Sequence, residues 1–385
     1  MVVPKLRFKA DDGSDFPELE AKSLFDICEY KNKQSVGKNY VGTENMKQNF
    51  SGLESLDEET EMKGVCYSKG DTLMSNIRPY LRKTWKADRE GVCSTDVLVF
   101  HPIDVVSEYL HYLIASDKFI SYVMTGAKGV KMPRGDKEHM MKFSIMVPSL
   151  PEQQKIADFL STIDTIIEKQ RATVLAWEER KKGVMQKLFS QEVRFKADDG
   201  SDFPDWEEKK LGDIGTVKMC KRVLKEQTSE SGDVPFYKIG TFGGIPDAFI
   251  SRELYEELKT KYSFPRKGNI LLSAAGTIGR TVIYDGEDAF FQDSNIVWLD
   301  NDSSVLDKFL LQFYNQTSWD NIEGGTIKRL YNGLFLSKII PLPSLPEQQK
   351  IADCLSALDA VIEKQKETLE KWQELKKGLL QQMFV

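Results

Sequence analysis

The segment PSLPEQQKIAD at residues 148–158 decides the fold, because it recurs without a single change at 343–353. A second segment, RFKADDGSDFP at 7–17, recurs identically at 194–204. Two unbroken identities of this length do not arise by chance, and internal repeats define the architecture of a chain before any other feature. The chain of 385 residues therefore consists of two copies of one unit, each about half of its length.

The stretches between these two connectors, residues 28–146 and 215–341, barely match each other. Drift after a duplication does not preserve two connectors while changing everything between them. We infer that the connectors bind the same thing twice and that the variable stretches bind different things. Two faint alignments survive, KGDTLMS at 69–75 with KGNILLS at 267–273, and GAKGVKMPRG at 126–135 with GGTIKRLYNG at 324–333.

Each PSLPEQQKIAD segment predicts the start of a long helix. Ser149 and Glu152, like Ser344 and Glu347, have the spacing of a capping box, and the proline between them is tolerated in a first turn. Apolar residues then follow at alternating steps of four and three, which is a heptad seam. About 38 residues give a helix of roughly 57 Å.

A narrow seam requires a second helix against it, and the other copy is the obvious partner. Gln170 and Gln365 occupy matching seam positions, where they either fix the register of the helix pair or lie exposed. We expect an antiparallel pair, with the N-terminal VVPKLRFKADDG close to the C-terminal LLQQMFV. The seam positions are Ile156, Leu160, Ile163, Ile167, Gln170 and Trp177 in the first helix, and Ile351, Leu355, Leu358, Ile362, Gln365 and Trp372 in the second.

The fold class is therefore α+β (mixed α/β). It comprises two globular domains separated by two long helices that form an antiparallel coiled coil with pseudo-two-fold symmetry. The variable stretches predict strands at 98–100 and 296–299, helical spacing at 107–124 and 303–322, and tight turns at 240–246 and 273–280. The predicted domains are 1–147, a central helix at 148–190, a second domain at 191–342 and a distal helix at 343–385.

Composition favours a non-catalytic protein without metal or cofactor. The three histidines form no HExxH motif, and the glycine-rich turns lack phosphate-loop spacing. No apolar stretch is long enough for a transmembrane helix, and the N-terminus has no signal-peptide core. The five cysteines are scattered and odd in number, which favours a reducing cytoplasm.

The order of variable domain, conserved helix, variable domain and repeated helix resembles the specificity (S) subunits of type I restriction–modification enzymes. The resemblance covers nearly the whole chain. One departure is Leu19, which stands where the second copy has Trp206. The motifs that carry the resemblance are PSLPEQQKIADFLSTID at 148–164, PSLPEQQKIADCLSALD at 343–359 and FPDWEEKKLGDI at 203–214.

The resemblance implies a DNA-recognition subunit that is not itself an enzyme. Each variable stretch would be a target recognition domain for one half of a bipartite site in double-stranded DNA. The connectors would dock two modification (methyltransferase) subunits, and S-adenosylmethionine would bind to those subunits. The paired helices would set the spacer between the half-sites. Whether restriction (nuclease and translocase) subunits also join stays open.

By the same resemblance, DNA contacts are expected on loops of the variable domains. Arginine and lysine reach guanine edges or phosphates, whereas a solvated surface role stays open for each residue. The net charge of −6 also leaves open a coiled-coil adaptor with two protein-binding heads and no DNA. The candidates are Arg78, Tyr80, Arg82, Lys83, Lys128, Lys131 and Arg134 in the first domain, and Lys218, Lys221, Arg222, Thr277, Arg280, Lys328 and Arg329 in the second.

Overall fold

The structure is a computed structural model that describes residues 4–319 and 329–384. The chain divides into two compact units. Unit 1 comprises Met1–Thr173 and Gln365–Val385, and unit 2 comprises Val174–Lys364. Each unit therefore contains the first half of one long helix and the second half of the other, as expected for a duplicated chain whose helices pair antiparallel.

Unit 1 is built from short strands and helices that lead into the first long helix. Its strands are β1 Glu20–Ser23, β2 Cys28–Lys31, β3 Gln34–Gly37, β4 Met62–Tyr67, β5 Thr72–Ser75, β6 Thr84–Lys86, β7 Gly91–Cys93, β8 Val97–Pro102 and β9 Ser144–Val147. Its helices are α1 Leu24–Ile27, α2 Ser107–Ile114, α3 Asp117–Thr125, α4 Lys137–Met141 and the first half of α5 Leu150–Phe189.

Unit 2 has the same order of strands, but it has one helix more between its fourth and fifth strands and, among its described residues, one helix fewer between its eighth and ninth. Its strands are β10 Glu207–Lys210, β11 Gly215–Lys218, β12 Val234–Tyr237, β13 Phe249–Ile250, β14 Ile270–Ser273, β15 Thr281–Ile283, β16 Phe290–Phe291, β17 Ile296–Asn301 and β18 Ile339–Leu342. Its helices are α6 Leu211–Ile214, α7 Arg252–Lys261, α8 Asp307–Gln316, α9 Asn332–Leu336 and the first half of α10 Leu345–Met383.

Each unit is organised around an antiparallel four-stranded sheet, in the order β2-β8-β5-β6 in unit 1 and β11-β17-β14-β15 in unit 2. The two sheets share their topology, whereas the small three-stranded sheets differ. The sheet β3-β4-β7 is antiparallel throughout, but β12 pairs with β16 in parallel. The mixed α+β class is confirmed, and the divergence of the two copies begins in the small sheets.

The ends of the long helices are part of the globular cores. Leu160 of α5 and Leu380 of α10 lie in one apolar cluster with the α2 and α3 side chains of unit 1. Leu188 of α5 and Leu355 of α10 lie in the corresponding cluster of unit 2. The heptad stripe therefore serves two purposes, because its outer positions anchor each helix in a domain.

Two shorter helices differ from their predicted extents. The helical spacing at 107–124 is divided between α2 and α3, because Ser116 ends the first and caps the second by accepting a hydrogen bond from the Phe119 N–H at 3.2 Å. A serine in this position competes for backbone donors and favours a new helix start. Of the predicted helix at 303–322, the described residues 303–319 contain α8, which begins at Asp307 and ends at Gln316, and residues 320–322 lie outside the described part of the chain.

The long helices begin where the sequence predicts, but the predicted capping boxes do not form. The hydroxyls of Ser149 and Ser344 have no hydrogen-bond partner among the described residues. The glutamates three positions later are committed elsewhere. Glu152 accepts two hydrogen bonds from Arg7, at 3.0 and 2.6 Å, and Glu347 accepts two from Arg194, at 3.1 and 2.8 Å.

These ion pairs join the two connectors of each unit to each other. Glu152 is 1% exposed and Glu347 is fully buried, so each carboxylate depends on its arginine. The lysines of the PEQQK motif add a second link, since Lys155 donates to the Lys9 carbonyl at 2.8 Å and Lys350 donates to that of Lys196 at 2.9 Å. Docking within each unit is thus one physical reason for the identity of the repeats.

The first glutamine of the PEQQK motif ties the long helix to the domain. The Gln153 side chain accepts from the N–H of Val106, which precedes α2, at 2.9 Å. Gln348 accepts from the N–H of Leu306, which precedes α8, at the same distance. Two glutamines with identical roles establish that Val106 and Leu306 are equivalent positions.

Within each unit the two half-helices pack antiparallel. In unit 1, Lys376 of α10 pairs with Asp164 of α5, and Gln170 donates to the Gln365 side chain at 2.8 Å. In unit 2, Lys181 pairs with Asp359. Seven of the twelve predicted seam positions are buried and five are partly exposed. The buried ones are Ile156, Leu160, Ile163, Ile167, Ile351, Leu355 and Ile362, and the partly exposed ones are Gln170, Trp177, Leu358, Gln365 and Trp372.

The chain's two ends also meet within unit 1. The N–H groups of Lys5 and Leu6 donate to the carbonyl of Gln382, at 3.0 and 3.4 Å. This contact confirms the expected proximity of the terminal segments.

Candidate nucleic-acid interface

In each unit, three segments converge at one end of the four-stranded sheet. They are the segment that follows β5 or β14, the loop that precedes β8 or β17, and the segment that precedes α4 or α9. The backbone of Ile77 bridges to Arg134 in unit 1, and that of Ala275 bridges to Arg329 in unit 2. The two arginines are therefore structurally equivalent. The sequence alignment, which placed Arg134 opposite Asn332, was wrong by three positions.

The segment after β5 has an unusual backbone. Arg78 and Arg82 adopt left-handed conformations, with φ of 51° and 54°. Asn49 and Phe50 do so as well, and their N–H groups donate to the carbonyls of Leu81 and Arg82 at 3.1 and 2.7 Å. Left-handed backbone is unfavourable for side chains of this size and is concentrated at functional sites. Two strained turns thus fix each other at this end of the sheet.

The predicted DNA-contact residues of this segment are not equally accessible to a ligand. Tyr80 is 46% exposed. The Arg82 guanidinium pairs with Asp117 of α3 at 2.8 Å, and Lys83 donates to the Thr43 carbonyl at 2.7 Å. Arg82 and Lys83 therefore hold neighbouring segments together, whereas Tyr80 presents its ring to solvent.

Lys128, Lys131 and Arg134 lie on a short hairpin. Lys128 donates to Asp136 at 2.6 Å, and the bond lowers the pKa of the Asp136 carboxyl to about 2. Arg134 pairs with Asp96, which precedes β8, at 3.1 Å. The hairpin brings three cations to the same end of the sheet as Arg78 and Tyr80, because its backbone is bridged to Ile77.

In unit 2, Lys218 ends β11 opposite Trp298 of β17, so the chain leaves the sheet at the converging end. Lys221 follows, with its ammonium group 4.7 Å from the centre of the Tyr262 ring. Arg222 is exposed. A cation over an exposed aromatic ring keeps its charge accessible while its position is defined.

The other predicted residues of unit 2 lie on the segments after β14 and before α9. Arg280 donates to the Phe242 carbonyl at 2.8 Å, and Arg329 donates to the Ser294 carbonyl at 3.0 Å. The Thr277 carbonyl accepts from the Ser273 hydroxyl. Lys328 lies outside the described residues.

Sequence reasoning missed several residues at this end of unit 1. Asn76 is buried, and its side-chain oxygen has no hydrogen-bond partner among the residues described. Lys137 donates to the Tyr30 hydroxyl at 2.7 Å. Val130 and Met132 form the apolar tip of the hairpin. A search for basic clusters could have found Lys137, but it has no means of selecting exposed apolar residues.

The described part of the chain contains no group of three or more histidine, cysteine, aspartate or glutamate side chains that could hold a metal ion. All five cysteines are free thiols, and burial raises the pKa of Cys28, Cys93 and Cys220 to about 12. Across residues 4–319 and 329–384, none of the helices combines the length and the apolar character needed to cross a membrane. The described residues at this end of the sheet offer hydrogen-bond donors and cations.

Comparison with known proteins gives one consistent family. The model of the type I restriction modification DNA specificity domain matches residues 17–176 and again 204–371. A Haemophilus influenzae protein named as a type I restriction enzyme specificity subunit is 41% identical over 258 residues, which cover 66% of this chain and 65% of that protein. The chain thus matches slightly less than two thirds of this relative's length.

More distant relatives cover more of the chain. The MjaVIII specificity subunit of Methanocaldococcus jannaschii is 26% identical over 74% of this chain and 72% of its own length. The crystal structure of the type I specificity subunit from M. genitalium has the same fold, with a TM-score of 0.56 at 15% identity over 100% of this chain and 99% of that one. A chain from a type I restriction–modification complex has an equal TM-score at 20% identity and covers 95% of this chain and 97% of its own.

The family model matches both copies of the repeat, including the variable stretches and most of each long helix. The family is that of the non-catalytic specificity subunits. The chain belongs to the type I restriction–modification DNA specificity family and carries two of its domains.

Proposed function

We propose that the chain recognises a bipartite site in double-stranded DNA, with one half-site contacted by each unit. The observation that carries the proposal is the pair of backbone bridges, Ile77 with Arg134 and Ala275 with Arg329. The two units build the same framework at the same end of the sheet and place different side chains on it. Two such heads suit two unlike half-sites.

The charged residues at these ends support DNA as the ligand. Arginine and lysine contact phosphates and guanine edges in protein–DNA complexes. The individual roles differ by residue. Alanine in place of Arg280 should relax sequence choice if its guanidinium contacts a base, or weaken binding uniformly if it contacts a phosphate.

We further propose that the connectors dock two modification subunits of the methyltransferase type. Several connector residues are identical in both copies although they are exposed and contribute nothing to either core. Leu150 and Leu345 are examples, as are Asp158 and Asp353. A partner that fits one copy therefore fits the other. S-adenosylmethionine would be bound by those partners, and restriction subunits could join the same complex.

The long helices would set the spacer between the half-sites. They contain 40 and 39 residues, which corresponds to about 60 Å each. Inserting four residues into both helices should lengthen the spacer that is recognised. An unchanged spacer in a methylation assay would contradict this role of the helices.

The free thiols of the chain suit a reducing cytoplasm, where we propose that it acts. The decisive experiment is to map methylated sites in cells with and without this chain. The expected result is a two-part motif with a fixed gap that disappears when the chain is deleted. An unaltered methylation pattern would contradict the proposal. It would favour the adaptor with two protein-binding heads, for which the assembled complex should show no steep salt dependence of duplex binding.

A further inference from the structure

The hairpin at residues 128–134 of unit 1 exposes apolar side chains at its tip. Val130 is 102% exposed, more than any other large apolar residue of the described chain, and Met132 is 52% exposed. Single exposed apolar residues are common on protein surfaces. Val130 and Met132, however, lie together at the tip of one hairpin, beside a predicted DNA-binding surface. This pair requires a specific explanation.

The hairpin has a defined conformation. Its base is closed by two hydrogen bonds between Lys128 and Arg134, in which each N–H donates to the other carbonyl at 2.9 Å. Gly129 supplies the left-handed turn, with φ of +97°. The Arg78 N–H donates to the Pro133 carbonyl at 2.8 Å, so the hairpin is fixed to the strained segment after β5. The tip is therefore held away from the core.

Cations flank this tip on both sides. Lys128 and Arg134 have acidic partners in Asp136 and Asp96, but both side chains stay largely exposed. Lys131, between the two apolar residues, is exposed and has no ion-pair partner in the part of the chain that the structure describes. A lysine between the two apolar residues favours contact of the tip with a polyanionic partner.

A groove of about 680 Å³ runs beside the hairpin. Its lining includes Asn76, whose side-chain oxygen has no partner among the described residues, and the exposed Lys137. Asp136 and Glu138 also line it, so the groove itself is mixed in charge.

We propose that the 128–134 hairpin enters a groove of the DNA, where Val130 and Met132 contact sugars and base edges while Lys131 contacts a phosphate. The inference rests on the proposed DNA recognition and specifies which element of unit 1 inserts. DNA is favoured over a protein partner because lysine is depleted from protein–protein contact cores, whereas groove-binding proteins combine apolar tips with basic residues.

The test uses the complete complex with its modification subunits and a duplex that carries the mapped motif. The double variant V130A/M132A should weaken binding about tenfold without changing the salt slope, because only apolar contacts are removed. The variant K131A should instead reduce the magnitude of the salt slope by about one. The matched control is V36A, which truncates an exposed valine on β3 of the same unit and should change neither quantity.

A photo-crosslinker, p-benzoylphenylalanine in place of Val130, tests the same contact directly. Crosslinking to the motif duplex is expected. Crosslinking only to a modification subunit, or undiminished affinity in V130A/M132A, overturns the inference while DNA recognition by the complex stands. A wild-type complex without salt-dependent duplex binding would overturn both proposals, so the two failures are distinguishable.

Discussion

The two units share the contacts that join their connectors and the contact that ties each long helix to its domain, whereas they diverge at the variable end of the sheet. Arg7 with Glu152 repeats as Arg194 with Glu347, and Gln153 repeats as Gln348. At the variable end, Asn76 and Arg78 of unit 1 correspond to Ala274 and Gly276 at the equivalent positions of unit 2. Buried polar contacts therefore resist change, because every partner must change together, whereas exposed loops on a fixed sheet can vary freely.

The buried carboxylates give the largest expected effect. Arg7→Ala leaves Glu152 buried without a partner and should lower the local unfolding free energy of unit 1 by about 3–5 kcal/mol. Arg194→Ala should cost less in unit 2, because the Trp206 indole still donates to Glu347 at 2.9 Å. Hydrogen exchange followed by mass spectrometry measures each unit separately. Equal losses in both units would contradict the asymmetry, and Lys9→Ala, at an exposed ion pair, is the control.

The tryptophan itself provides the second comparison. Trp206→Phe keeps a ring against Phe189 but removes the donor to Glu347, and should destabilise unit 2 by about 1.5–3 kcal/mol. Leu19 occupies the equivalent place in unit 1, so the matched change L19F should have little effect on Glu152. A similar loss from both substitutions would indicate that packing, rather than the hydrogen bond, explains the difference.

A pH-dependent difference follows from α2 and α8. Burial lowers the pKa of His111 to about 3, and unit 2 has Leu311 at the equivalent position. The unfolded chain then binds a proton that the folded unit rejects, so stability falls as pH decreases from about 6.5 towards 3. Between pH 6.5 and 5 the loss should be about 2 kcal/mol in unit 1.

His111→Leu should abolish this loss and make unit 1 resemble unit 2 at that position. Thermal unfolding at pH 7 and pH 5 measures the effect. If the wild type and the variant lose the same stability on acidification, another group is responsible.

The smallest expected effect is at Gln170 and Gln365, equivalent residues of the repeat that hydrogen-bond to each other. Gln170→Ala should cost about 1 kcal/mol, because it leaves the Gln365 side chain without its donor. Replacing both with leucine should be nearly neutral, as for other polar pairs exchanged for apolar ones. A large loss of unfolding free energy in the double variant would show that the pair contributes substantially to stability and does not act mainly by fixing the register of the helices.

Much of the architecture could be predicted from the sequence. The duplication, both long helices and their antiparallel pairing follow from repeats and periodicity, and the strands at 98–100 and 296–299 follow from their residue types. The family was recognised by the resemblance of its motifs. These features depend on local patterns that one sequence displays. The DNA-binding residues are a different matter, and their assignments stay predictions.

Only the tertiary structure decided which partners the motif residues have. Glu152 reads as half of a capping box with Ser149, yet it pairs with Arg7, which is far away in sequence. Arg134 aligns with Asn332 by sequence, but its equivalent is Arg329, because backbone bridges rather than residue types set the register. Sequence periodicity determines which elements form. Long-range hydrogen bonds and burial, which depend on how distant segments meet, determine what each polar residue does.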